Sequence, residues 1–261
     1  MIKFFRKIRQ NFLQEGKTSM YFKYAIGEVL LVVIGILIAL AINNSNEDRK
    51  SRELEVKYLK NLQTDIKLEL INNDSIIAYR AVAAKAAARL LDFKTLVTAF
   101  DVVELEITVN QVFSRVLFIP TNNTYKELMS SGNLNYITND AVKNLLLELD
   151  KMYVAINNGE HHMYREYEEY LYNVTINNVE SLNLLDIQKT AATGIKSPSN
   201  PSQIPISTVI PEYSNLLKRT DFRNGLKLSV TNNIGLKGEH NKMIKLLLKL
   251  NKLIQRDLKK D

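Results

Sequence analysis

The sequence predicts an all-α fold: one N-terminal transmembrane helix followed by an elongated extracytoplasmic helical bundle. Three observations predict it. Residues Tyr24–Ile42 are apolar for 19 residues, with Glu28 as their only charge. Further along, apolar residues recur at three- and four-residue steps, the period of a helix with one buried side. Proline and glycine are scarce inside those stretches, and the single alternating patch, at 101–109, has no second patch with which to pair.

Residues 1–24 form a basic segment, with Lys3, Arg6, Lys7, Arg9, Lys17 and Lys23 against Glu15. The span at 25–43 would be roughly 28 Å long as a helix, close to the roughly 30 Å hydrocarbon core of a bilayer. Aromatic residues Tyr21, Phe22 and Tyr24 sit at its edge, as at a membrane interface. A leading basic segment predicts an N-terminus inside and residues 44–261 outside. A rival reading is a cleaved signal peptide, since Ala39-Leu40-Ala41 fits a small-x-small cleavage site. Glu28 lies about one turn inside the basic end, where its carboxylate reaches the interface or pairs with Lys23. Glu28, Val32, Gly35, Ala39 and Asn43 share one helix face. Gly35 and Ala39 would let a second copy approach closely, which predicts a homo-oligomer.

The net charge of +7 is concentrated at the start: residues 1–43 hold six basic groups and two acids, which leaves +3 for 44–261. The basicity therefore points to anionic lipid, and no nucleic-acid partner is expected. The chain has no cysteine, which excludes a disulfide framework, a thiol nucleophile and Cys-ligated zinc.

After the span, Leu54, Tyr58, Leu62, Ile66 and Leu70 predict an amphipathic helix that Asn43–Asn46 do not interrupt. Asn72-Asn73-Asp74-Ser75 reads as a break and N-cap, followed by an Ala-rich helix over 75–99. Residues 101–108 read as a loop or helix start, and 110–117 as a short helix ending before Pro120. A helix follows Thr121–Tyr125 and runs to Ser130, where Ser131-Gly132-Asn133 stops it. Thr138-Asn139-Asp140 caps the next helix, which reaches about Asn177. Residues 188–211 hold four of the five prolines and read as a loop. The last helix starts near Thr220-Asp221. Lys242, Lys245, Lys249, Lys252, Arg256 and Lys259 line one side of it, opposite Met243, Leu246, Leu247, Leu250, Leu253 and Ile254.

Candidate chemistry is sparse. On a helix, His162, Glu166 and Glu169 share a face, with His161, Glu160 and Glu168 nearby, so a mixed imidazole–carboxylate metal site can be drawn. The spacing lacks the two-histidine pattern of a zinc hydrolase, and a solvated helix face explains the same residues. Tyr153, Tyr164, Tyr167, Tyr170 and Tyr172 on that helix suit a small-ligand groove or the margin of a packing core. Ser130-Ser131-Gly132 lacks the context of a hydrolase nucleophile. The expectation is no enzyme, no metal and no cofactor.

Several stretches resemble a bacterial membrane-protein family known only as a domain of unknown function. They are Met1–Arg9, the span from Ala25-Ile26-Gly27-Glu28 to Ile38-Ala39-Leu40, and Asn43-Asn44 before Asn46–Lys50. Thr124–Leu128, Ser130–Leu134 and Asp221–Asn224 resemble it as well. This chain carries Ala41 and Ser45 where that family usually has Gln and Trp. The resemblance implies a retained single-pass anchor in a bacterial inner membrane, with a periplasmic C-terminal domain. It carries no activity. The expected role is a membrane-anchored interaction or scaffold module that binds another envelope protein; the alternative is a ligand-sensing bundle signalling through a partner.

Overall fold

The computed structural model describes residues 18–93, 96, 98–180 and 206–259. All described elements are helical, so the fold is all-α as expected. The start of the basic segment, Met1–Lys17, and most of the proline-rich loop, 188–205, lie outside the described residues. The chain divides into two compact units, 1–58 and 59–261.

In the first unit the described chain is the opening part of one helix, α1 (Thr18–Leu91). It continues through Asn43–Asn46 without a break, as its sequence predicts. From Val29 to Ile42 the large apolar side chains are 45–67% exposed on every side of the helix. This helix is long and apolar enough to cross a membrane.

Among the described residues the second unit holds residues 59–91 of α1 and five further long or medium helices. They are α2 (Ala99–Phe113), α3 (Asn123–Ser130), α4 (Asp140–Tyr167), α5 (Ile206–Lys218) and α6 (Thr220–Asp257). A short 3₁₀ turn, Asn133–Tyr136, links α3 to α4. α4 continues through a π-helical turn, Glu168–Tyr172, and a last turn, Asn173–Ile176. α6 runs antiparallel to both α1 and α4. Its Asn251, His240 and Asn233 meet Gln63, Asn73 and Arg80 of α1 in that order.

Four expectations are corrected. Residues 72–75 do not break α1. Asn73 and Ser75 turn their side chains back to the carbonyls of Glu69 and Ile71, at 2.9 and 3.0 Å, which is how such residues are accommodated inside a helix. The Ala-rich stretch is part of α1 and ends at Leu91 rather than 99; there the Arg223 guanidinium donates to the Leu91 carbonyl at 3.3 Å, satisfying an end that has no intrahelical partner. The patch at 101–109 is the body of α2, which stops at Phe113. Thr98 and Asp101 form a reciprocal capping box, and Val102, Leu105, Val109 and Val112 are buried at helical steps while Val103 and Ile107 remain half-exposed. Residues 206–211 belong to α5, with Pro211 inside it, because Val209, Tyr213 and Leu216 give that segment a buried side.

Other boundaries stand where the sequence places them. Gly132 takes φ +71° after α3, a conformation only glycine adopts freely. Asn139 caps α4 by accepting the Ala141 N–H at 2.9 Å. The lysine row of α6 is exposed, and Met243, Leu246, Leu247, Leu250 and Ile254 opposite it are buried. α6 approaches the π turn closely: a Cβ on Gly225 would stand 2.8 Å from Leu171 Cδ2 and from Tyr170 Cβ.

Candidate functional site

Between α2 and α3 the chain leaves the helical state and crosses the bundle as a strap, residues 114–122. Its main chain is held by side chains of the helices beneath it. Tyr79 of α1 donates its hydroxyl to the Ser114 carbonyl. The Phe118 N–H donates to both carboxylate oxygens of Glu160 on α4, each at 3.2 Å. Asn72 Nδ2 reaches the Ile119 carbonyl at 2.9 Å, and the Thr121 N–H donates to Glu69 Oε2 at 2.6 Å. One turn earlier on α1, Asp65 Oδ2 accepts the Thr124 N–H at 2.7 Å. That bond caps α3, whose own cap residue, Asn122, makes no capping bond. Three carboxylates thus do for the strap and α3 what a neighbouring strand or an Asx cap does elsewhere.

Beneath the strap lies a belt of buried polar groups. Arg80, fully buried on α1, pairs through Nη2 with Glu160 and through Nη1 with Asn233 Oδ1 of α6 at 3.4 Å. Asn233 in turn donates to the Ser229 carbonyl at 2.9 Å. A second branch runs from Glu69 to Asn73 Nδ2 (3.3 Å), and from Asn73 Oδ1 to His240 Nδ1 (2.7 Å). Asn73 Oδ1 can only accept, so His240 is the Nδ1–H tautomer. Its Nε2 has no partner. The Phe118 ring of the strap packs edge-on against His240, with centroids 4.9 Å apart, and lies 6.1 Å from Tyr153.

The electrostatics follow from this burial. Desolvation, helped by the Arg80 charge, pushes His240 down to about 4, which keeps it neutral. Desolvation raises Glu69 against the hydrogen bonds that favour its charge. Burial likewise raises Glu160 and lowers Arg80, and their mutual attraction opposes both shifts.

The cavity beside this belt measures about 30 Å³ and is lined by Glu160, Met163, Ser229 and Asn233 with Tyr79 and Tyr167. That is room for a water molecule or two. An open groove of about 710 Å³ lies between Glu166, Tyr170 and the start of α6. Its charged walls are already engaged, Arg219 with Asp221 at 2.6 Å and Glu166 with Asn232 at 2.7 Å.

The residues singled out from sequence fall mostly elsewhere. His162 Nε2 lies 3.1 Å from Glu166 Oε1, the histidine exposed and the glutamate half-buried. His161 and Glu169 are exposed, and Glu160 is turned into the core. Among the described residues no three potential ligands gather for a metal ion. Tyr153 is buried, and Tyr167 donates to the Val112 carbonyl at 3.0 Å; these two are core margin. Tyr164 stacks under the Arg115 guanidinium at 3.5 Å. Tyr172 stands exposed beside Phe113. A Cβ on Gly35 would meet nothing within 4 Å.

Sequence reasoning missed Arg80, Glu69 and His240. A signal for the first two was present: the inward positions of α1, at steps of three and four, read Leu62, Ile66, Glu69, Asn73, Ile76, Arg80, Ala83. Three of these are polar.

A family model described as a family of unknown function, DUF6090, matches residues 28–196. The chain belongs to this family. The matched range takes in most of the apolar span, Glu69, Arg80, the strap and Glu160. The Asp221–Asn224 segment, Asn233 and His240 lie outside it. No curated protein and no solved structure matches the chain.

Proposed function

We propose that this protein is a membrane-anchored interaction module with no catalytic activity. Its N-terminus lies inside a bacterial inner membrane and residues 44–261 stand in the periplasm, where they bind another envelope protein. The observation that carries the anchor is the all-round exposure of Val29–Ile42. In water so long an apolar cylinder would be covered, since burying each such side chain is worth about 1.5–3 kcal/mol; a bilayer supplies the cover. The interaction reading is favoured over a sensor because the cavity among the helices is only about 30 Å³, and the larger groove is open to solvent with its charged walls already paired. It is favoured over an enzyme because Asp65, Glu69 and Glu160 are already occupied by main-chain N–H groups.

The absence of native cysteine gives a direct test. Lys249→Cys places one thiol on the exposed side of α6. Intact cells are treated with a membrane-impermeant maleimide. Labelling of a full-length, membrane-bound chain is the expected result. Labelling only of a shortened soluble chain would make Ala41 a cleavage site, and labelling only after lysis would invert the topology; either outcome overturns the proposal.

A further inference from the structure

α6 turns one side into the bundle and the other out. The outer side carries six cations in a row, Lys242, Lys245, Lys249, Lys252, Arg256 and Lys259, all of them exposed. The only acid between His240 and Lys259 is Asp257, which is buried and accepts from Asn139 Nδ2 at 2.6 Å. Across the seam to α1, Gln63 meets Asn251 at 3.4 Å. Lys60 and Lys67, three residues before Gln63 and four after it, share its side of α1 and are exposed. The basic face is therefore two helices wide.

Elsewhere on the described surface, cations stand beside carboxylates: Lys50 by Glu47, Arg89 by Glu104, Lys143 by Asp140 and Arg219 by Asp221. Lys242 likewise has Glu239, at 2.8 Å. The rest of the row differs. Among the described residues Lys245, Lys249, Lys252, Arg256 and Lys259 form no ion pair. They sit three or four residues apart, the spacing at which like charges on a helix repel. The helix dipole offsets that repulsion for Arg256 and Lys259 at the end of α6. Among the described residues nothing offsets it for Lys245, Lys249 and Lys252. A surface of opposite charge would turn this cost into an attraction.

The geometry of the row selects the partner. From Lys242 to Lys259 it covers about 25 Å of helix, with neighbouring cations about 5 Å apart along the axis. A helix with Asp or Glu at three- and four-residue steps presents the same spacing and keeps register throughout. An extended chain spaces one face at about 6.7 Å and would slip by about 8 Å over the row. A bilayer surface fits less well, because a helix lying on lipid inserts its apolar side, and Met243, Leu246, Leu247, Leu250 and Ile254 are already buried in the bundle. A second copy of the same face would repel the first. We propose that the basic face of α6 docks an acidic helix of another envelope protein, its carboxylates aligned with the row. This rests on the interaction reading and gives the partner its chemistry.

The test uses the full chain in phosphatidylcholine nanodiscs and two labelled Ala-rich helical peptides of equal charge. One carries glutamates at the steps of the row; the other carries the same number scattered around the helix. Fluorescence anisotropy should show the aligned peptide binding about tenfold more tightly, with affinity falling as salt is added. Lys245→Glu, Lys249→Glu and Lys252→Glu together should abolish that preference. The same exchange at the exposed Lys85, Lys126 and Lys151 alters the net charge equally and should leave it. Equal binding of the two peptides, or equal effects of the two triple variants, overturns the proposal. So does binding confined to phosphatidylglycerol vesicles in a parallel assay. In cells, a photo-cross-linking residue at the exposed Leu248, within the row, should capture a partner through an acidic helical segment. Capture from Val154 on α4 but not from Leu248 would overturn the docking face and keep the interaction reading; capture from neither would remove that reading as well.

Discussion

Replacing His240 with Asn isolates the acid sensitivity that the fold builds into its core. His240 is fully buried, donates to Asn73, and has no partner for Nε2. Burial and Arg80 lower it from 6.5 to about 4. A base whose folded pKa is depressed is held neutral by the fold while the unfolded chain takes up a proton. Its contribution is thus fully present above about pH 6.5 and is lost as pH falls towards 4. At about 1.36 kcal/mol per pKa unit, a fall from pH 7.5 to 4.5 removes roughly 2.5 kcal/mol. Glu69 and Glu160 are raised by burial and act with the opposite sign: in the acid range their protonation favours the fold. Wild type and variant share those terms, so the difference between them reports His240 alone. Asn keeps a donor near the Nδ1 position and cannot titrate. The assay is urea unfolding of the full chain in detergent, followed by helical circular dichroism at both pH values. His240→Asn should be the less stable protein at pH 7.5, and the gap should narrow or reverse by about 2.5 kcal/mol at pH 4.5. Parallel loss of stability in the two proteins would refute a neutral, buried His240.

Two further outcomes follow from packing and charge. Glu160→Gln leaves the Arg80 guanidinium buried without its counter-charge, a change that costs about 3–5 kcal/mol. Adding Arg80→Met should recover much of that loss in the same unfolding assay. Gly225→Ala drives a methyl group to within 2.8 Å of Leu171 and Tyr170; overpacking of this kind costs about 1–3 kcal/mol, read as a lower Tm.

The helices whose apolar side is plain in the sequence are the ones it places well: the span, the start of α1, α4 from Asn139, and α6 from Thr220. Its errors have local causes. Asn and Ser at 72–75 read as a break because such side chains usually compete with the helix, and here they bond within it. The capping box at Thr98 and Asp101 settles α2 as a helix, but the valines at 102 and 103 hide its period. The strap is hardest to foresee. Its bonds join residues 35 to 52 positions apart, and no local pattern records them. Arg80 and Glu160 lie 80 positions apart, so their pairing is visible only in three dimensions. What the sequence did carry was a row of polar residues on the inward side of α1, a sign that a buried polar belt awaited partners.

The strap's attachment has an evolutionary consequence. Apart from Phe118 and Arg115, whose guanidinium lies over Tyr164, the segment is held by its peptide groups and scarcely by its side chains. A peptide group is the same whatever residue bears it, proline excepted. Substitutions at 116, 117 and 119 therefore leave the clasp of Tyr79, Asn72, Glu69 and Glu160 intact while rewriting the surface that the strap exposes. Drift at these positions is decoupled from the clasp, so the exposed face of the strap can change while the bonds that hold it stay the same.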